Sequence, residues 1–372
     1  MVYEVDVLPV GDGERCGDAI ALRFWIPDSL ESQNVWVIDG GTKESGEALV
    51  RHIKEYYGTE FVNVVVSTHP DSDHASGLSV VLEKLKVGKL LMHQPWNHAE
   101  EINHLFDDGR IIQSGIEERV WSALQDVREL EKIATRKYIK IIEPFSDNGE
   151  PQLALNANVY VLSPSKVFYE GQLTNFRCMP EVAKQAENRA RKQEFIEMLK
   201  AAAKETARAL ETWLKETLAD PEEDATSAEN NSSVVLLFEL DGDRLLFTAD
   251  AGVPALTEAA NRAQALGIDL KKAKFIQVPH HGSKRNVGPT ILNRIIGPIK
   301  DTESYDKIAF VSASKDGQPK HPAKKVVNAF KRRGANVFAT QGKWLCHHSS
   351  NAPQREGWSN ATPLPFYKEV DE

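Results

Sequence analysis

Residues 61–68 read Phe-Val-Asn-Val-Val-Val-Ser-Thr and run straight into His69-Pro70-Asp71-Ser72-Asp73-His74. A nearly unbroken β-branched run is the pattern of a strand buried on both faces, so the chain must supply a layer on either side of it. Four potential metal ligands then follow within six positions. In an extended segment, residues i, i+2 and i+4 lean to one side and i+5 to the other. On that reading His69 and Asp71 serve one ion while Asp73 and His74 serve a second, at the close spacing that two-metal hydrolytic sites need. Asp71, Ser72 and Asp73 also suit a turn and N-cap before a helix expected near Ser76, but a cap does not call for two flanking histidines.

The surrounding pattern is mixed α/β. Three strands are expected in the first forty residues (VYEVDVLPV, AIALRFWI and VWVIDGG), followed by a helix through Glu47, Val50, Ile53, Tyr56 and Tyr57. Residues 114–137 read as helical and 159–164 as a strand. Residues 181–219 are rich in Ala, Glu, Lys and Arg without Pro or Gly, which predicts a long helix ended by Pro221. Such an insertion can cover the site, mediate a homodimer, or lie solvated on the surface. From Ser232 a hairpin is expected, then strands in FIQVPHHG, KIAFVSAS and NVFATQG, with helices near 253–266 and 322–333. The expected organisation is two packed sheets with helices outside. Residues 1–165 form its first half, 166–230 a helical insertion, 231–350 the second half and 351–372 a tail.

Two later strand ends carry further chemistry. Asp250, closing LLFTAD, can bring a carboxylate between two ions, and His280 and His281 precede Gly282, which permits close backbone approach. A net charge of −9 argues against a protein that coats nucleic acid non-specifically. The local run Lys315, Lys320, Lys324, Lys325, Lys331, Arg332 and Arg333 supplies phosphate contacts or else a solvated helix face. Three scattered cysteines, the lack of a basic-then-apolar leader and the lack of an apolar run of about 20 residues lead us to expect a cytoplasmic protein without a membrane segment.

THPDSDHASGL resembles the HxHxDH signature of the metallo-β-lactamase superfamily, with Asp71 where the second His usually stands. More specifically, the chain is similar to the metallo-hydrolase domain of the ComEC competence proteins and its stand-alone relatives. The shared features are Val10-Gly11-Asp12-Gly13, Gly17-Asp18-Ala19, the HxDxDH variant, Asn231 and Ser233, HHGS, and His321-Pro322. The resemblance covers roughly residues 1–90 and 230–345 and implies a four-layer αββα sandwich with the site at one edge. It implies that Asp39, beside Gly40, orients ligands, that Asp250 bridges two ions and that His281 ligates while His280 faces substrate. Ala249 stands where relatives carry Gly. A further ligand would come from His93, His98 or His104, of which His98 is chosen.

The expected function is a metal-dependent hydrolase using hydroxide activated by two divalent ions, Zn or Mn. Asp73 and Asp250 would orient the nucleophile. His280, Ser283, Lys284 and His321 would stabilise oxyanion charge or protonate a leaving group. The carboxylate of Asp71 hardens the site toward Mn²⁺ and suits an anionic substrate, so a phosphodiesterase or nuclease acting on a short single strand or a nucleotide leads. The alternatives are a hydrolase of a carboxylic ester, lactone or amide, and a non-catalytic metal-binding module.

Overall fold

The computed structural model describes residues 1–11, 16–103, 113–149, 157–179, 209–222, 224–317 and 320–370. In it the run Phe61–Val66 is a parallel strand, β4, with apolar residues on both faces. Its sheet holds β1 (Val2–Val7), β2 (Ala19–Ile26), β3 (Ser29–Gly40), β5 (Lys86–Leu91), β6 (Lys140–Ile142) and β14 (Leu345–His348), in the order β14-β1-β2-β3-β4-β5-β6. Pairing is antiparallel from β14 to β3 and parallel from β3 to β6. The second sheet holds β7 (Ala157–Ser163), β9 (Val235–Leu240), β10 (Asp243–Phe247), β11 (Phe275–Gln277), β12 (Lys307–Val311) and β13 (Ala335–Ala339), in the order β13-β12-β11-β10-β9-β7. Strands β10 to β13 are parallel there.

Alternation along the strands builds the layers. Ala21, Val35 and Val37 face a helical layer of α1 (Lys43–Tyr56), α2 (Ser72–Lys84), α3 (Ala99–Asn103), α4 (Gln113–Ala123) and α5 (Gln125–Arg136), sharing a core with Leu49, Ile53, Leu78, Val81 and Leu130. Their neighbours Ile20, Leu22, Trp36 and Ile38 point the other way and meet Val161, Leu236, Phe238 and Phe275 between the sheets. Trp36 and Phe238 pack edge to face there, ring centroids 4.9 Å apart. The second sheet turns Leu237, Leu246, Ile276 and Ala309 outward. α6 (Lys166–Leu173) and α7 (Ala228–Asn231) precede the helices that cover these residues: α8 (Val253–Ala265), α9 (Pro289–Ile295) and α10 (Lys324–Arg332). The result is a four-layer αββα sandwich.

Glycines allow the layers to meet where the site forms. A Cβ on Gly77 of α2 would stand 2.0 Å from the Gly40 carbonyl oxygen and 2.4 Å from that of Thr42. One on Gly17 would stand 1.9 Å from the Asp73 carbonyl oxygen. Only glycine lets β3, the start of α1, α2 and the turn before β2 close on one another.

Several expectations need correction. α2 begins at Ser72, not near Ser76, so Asp73 and His74 are helical and the extended spacing of the motif does not hold. Within 209–219 the long helix is not observed: Ala209–Leu210 (β8) pairs with Glu369–Val370 (β15). Glu211 is buried there against Thr217, Asn328 and Arg332, a set of partners that a helix running outward would not reach. The rest of that helix, residues 181–208, lies outside the described residues, as do His104, Asp12 and Gly13. The chain also crosses between sheets twice: β7 already belongs to the second sheet, and β14 returns to the first. Residues 351–370 are tied down, with Leu364 and Tyr367 on the second core and Arg355 paired with Asp6.

The basic run is not one face. Lys331, Arg332 and Arg333 are buried: Lys331 bonds the Leu364 carbonyl, Arg332 pairs with Glu211 and Arg333 with Glu216. These three are structural cations, whereas Lys315 and Lys320 are exposed. Among the described residues, no helix is long and apolar enough to cross a membrane.

Candidate metal centre

The site gathers at the carboxyl ends of parallel strands from both sheets. β3 ends on Asp39-Gly40, β4 leads to His69, β10 to Asp250, β11 to His280 and His281, and β12 to Ser312. Backbone bent into the left-handed region aims several of these residues: Asp39 (φ 55°), Ala249 (φ 46°), His280 (φ 45°) and His281 (φ 56°). The Ala249 conformation is one that glycine adopts without strain.

Hydrogen bonds fix the four imidazoles in one sense. His74 Nδ1 lies 2.9 Å from Asp39 Oδ2, so it carries the proton. Thr68 Oγ1 donates to the same carboxylate at 2.6 Å and therefore accepts from His69 Nδ1 at 2.9 Å. His281 Nδ1 donates to the Ser312 carbonyl at 2.9 Å. Asn286 Nδ2 donates to the Asp250 carbonyl, which turns Asn286 Oδ1 to His280 Nδ1 at 2.8 Å. All four Nδ1 atoms are donors, and the four Nε2 atoms are left facing one carboxylate. The Nε2 atoms of His69, His74 and His280 lie 3.8, 3.5 and 3.5 Å from Asp250 Oδ2, and that of His281 lies 3.8 Å from Oδ1.

These atoms fit a cation. His69 Nε2, His74 Nε2 and Asp250 Oδ1 are buried without a hydrogen-bond partner, a costly arrangement unless something else satisfies them. Ligand atoms held about 2 Å from one ion stand roughly 3–4 Å from each other, the separations seen here. Candidate ligand groups, each with atoms within 4.8 Å of one another, are Asp39, His69 and His74; Asp18, His74 and Asp250; Asp73, His74 and His281; Asp250, His280 and His281; and, away from this cluster, His98, Glu101 and Glu170. Nδ1 bonds to carboxylate, hydroxyl, amide and carbonyl are the outer-shell partners that metal-ligating histidines use.

The electrostatics agree. Burial lowers the pKa of His281 to about 3, leaving a neutral ring. Burial opposes charge on His74 too, but Asp250 and Asp39 outweigh it and raise its pKa. Burial would also raise Asp250, yet His280, His74 and His281 hold it well below the ordinary carboxylate range. Asp18 is pushed up to about 8 by burial, with Asp250 and Asp39 adding repulsion. Ions and protons therefore compete for the same buried atoms.

The remaining expected residues fall in several places. Asp73 joins His74 and His281, whereas Asp71 belongs to none of the groups. Asp71 Oδ1 instead accepts from Arg177 at 2.7 Å. His321 is partly buried at the mouth, 6.4 and 6.5 Å by ring centroid from His280 and His281, and burial together with His280 lowers its pKa. Ser283 is buried, its hydroxyl accepting from the Arg285 amide, and Lys284 is exposed. His98 sits apart between Glu143 (3.0 Å) and Glu170 (3.3 Å), near Lys166, which already neutralises Glu101 and Glu170. His93 is enclosed by Phe145 and Tyr169.

Sequence reasoning gave no role to Asp18, Gln277, Thr68 or Asn286. Gln277 spans the sheets: its Nε2 donates to Asp18 at 2.8 Å and its Oε1 accepts from the Thr248 and Ala249 amides. Gly17-Asp18 was visible as a motif, but its reach to the site depends on Gly17 lying against Asp73.

No family model matches the chain. In sequence it is similar to ComE operon protein 3 of Bacillus subtilis, 29% identical over 120 residues, which are 32% of this chain and 14% of that protein's length. Among solved structures it is similar to the metallo-β-lactamase fold protein YhfI of Bacillus subtilis (8% identity, TM-score 0.43, 94% of this chain and 100% of that one). It is also similar to unliganded yeast PDE1 (11%, 0.40, 91% and 96%) and to a diphosphatase from the PhnP family (8%, 0.39, 94% and 99%). Two mixed sheets lie face to face with helices on both outer faces and a His/Asp cluster where parallel strands of both sheets end, the four-layer αββα architecture that the resemblance in sequence implies.

Proposed function

We propose that this protein is a metal-dependent phosphodiester hydrolase with a dinuclear centre holding Zn or Mn. The observation that carries this reading is the convergence of four oriented Nε2 atoms on Asp250. His69, His74, Asp250 and His281 would hold the ions with Asp73 and Asp18, His280 would complete the set on the open side, and Asp71, now held by Arg177, would join as the motif's remaining carboxylate. Two divalent ions there would activate water and polarise a phosphoryl oxygen.

The donor set favours an anionic substrate. Two divalent ions outweigh the carboxylates of Asp18, Asp73 and Asp250, leaving a positive centre at the bottom of a mouth lined by neutral His321. His280 is about one-third exposed and meets the substrate side, with Asn286 fixing which nitrogen it presents. His321, beside His280, is the group suited to move a proton at the mouth. Exposed Lys284 lies next in the chain to Ser283 and suits an outer phosphate contact. A short single strand or a nucleotide is the substrate class, and the three unpaired cysteines suit a reducing, cytoplasmic setting.

The test is hydrolysis of bis(p-nitrophenyl) phosphate by metal-stripped protein resupplied with Mn²⁺ or Zn²⁺, beside Asp250→Asn. We expect ion-dependent turnover that falls roughly 100-fold or more in the variant. Metal bound without phosphodiester turnover, and with turnover of a carboxylic ester or lactone instead, would replace this reading.

A further inference from the structure

Arg177 bridges two carboxylates at the edge of the motif. Its guanidinium donates to Asp71 Oδ1 at 2.7 Å and to Glu229 Oε1 at 3.0 Å, and its backbone amide donates to that same Glu229 oxygen at 2.6 Å. The two partners differ in burial. The Glu229 side chain is 5% exposed and its Oε2 has no hydrogen-bond partner, whereas the Asp71 side chain is 29% exposed. All three residues line a cavity of about 500 Å³ together with Ser72 and Asp73.

Resting on the metal-centre reading above, we infer that Arg177 is a built-in competitor for Asp71 that makes the two ions bind with unequal affinity. The first ion finds its ligands ready, because His69, His74, Asp250 and His281 are already oriented. Among the described residues, Asp71 is the one motif carboxylate engaged by a cation of the chain itself. A second divalent ion at the motif must draw Asp71 from the guanidinium. The exchange is feasible because Arg177 keeps its buried partner: Glu229 needs the cation, and the half-exposed bond to Asp71 is the weaker one. Arg177 thus positions a metal ligand and takes no part in the bond cleavage.

The experiment is calorimetric titration of metal-stripped full-length protein with Mn²⁺ for wild type, Arg177→Gln, Arg177→Lys, Asp71→Asn and the Arg177→Gln/Asp71→Asn double variant. Thermal unfolding confirms that each is folded; in every Arg177 variant the backbone amide at that position still donates to Glu229. Wild type is expected to bind one tight and one weaker equivalent. Arg177→Gln should tighten the weaker one by on the order of tenfold, and Arg177→Lys, which keeps the charge, should tighten it less. The gain should vanish when Asp71 is already Asn. Unchanged or weaker binding in Arg177→Gln would overturn the competition, as would a gain that persists without Asp71. If neither wild type nor Arg177→Gln binds Mn²⁺, the metal-centre reading itself fails, a result distinct from two equal sites.

Discussion

The Asp39 carboxylate and the His74 ring meet at 2.9 Å, Oδ2 to Nδ1, and the same carboxylate also takes the Thr68 amide and hydroxyl. One buried side chain thereby sets the tautomer of His74 directly and that of His69 through Thr68. Asp39→Asn retains one accepting atom for three donors. We predict that it stays folded but loses roughly 10- to 100-fold in Mn²⁺ or Zn²⁺ affinity, measured by competition with a chelator. Unchanged affinity would show that the Nδ1 bonds do not govern the site.

Asn286 performs the same task for His280 from the opposite wall. Asn286→Leu should cut phosphodiester turnover by about tenfold while affecting metal affinity less than Asp39→Asn does, because His280 stands on the open side. Parallel measurement of turnover and metal content separates the two effects.

The close approach at Gly77 gives a stability prediction. A methyl group there has backbone oxygens of Gly40 and Thr42 in its way, and neither is the end of a flexible side chain. Gly77→Ala should cost about 3 kcal/mol or more in urea unfolding, well beyond the gain of about 1 kcal/mol from better helix propensity. Ala249→Gly should do the reverse. Relief of the left-handed conformation is worth about 1–2 kcal/mol and the added chain entropy costs about 0.5–1 kcal/mol, so a small net stabilisation is expected.

What could be read from the sequence follows from how local each feature is. The αββα layering was legible because β2, β4 and the second half of β3 are dominated by apolar residues, and His69 and His74 were legible because they stand together at a strand end. The assignment of Asp71 and Asp73 to separate ions came from treating the motif as extended; a helix starting at Ser72 instead stacks His69 near His74, ring centroids 4.2 Å apart. Asp18, Gln277 and Asn286 meet only through the packing of distant segments, and nothing in their neighbours' sequence signals it. The same holds for Arg332 and Arg333, which look like surface charge until Glu211 and Glu216 arrive from over a hundred residues away.

A pH prediction comes from the far edge of the first sheet. Burial would raise the Asp6 pKa, but His52 and Arg355 hold it well below the ordinary range. A depressed carboxylate contributes stability that is present above its unfolded pKa of about 3.9 and is lost as pH falls toward the folded value. Wild type should therefore lose stability as pH drops below about 4. Asp6→Asn should be roughly 3–5 kcal/mol less stable at pH 7, with a flatter acid limb, as followed by urea unfolding across pH.

The most direct test of the account is anomalous scattering from crystals of the full chain grown with Mn²⁺. The account predicts a peak about 2.0–2.2 Å from the Nε2 atoms of His69, His74 or His281 and an oxygen of Asp250, with a second peak roughly 3.5–4 Å away at higher Mn²⁺. Crystals that show no peak among these residues, or Mn²⁺ bound only beside His98 and Glu170, would contradict it.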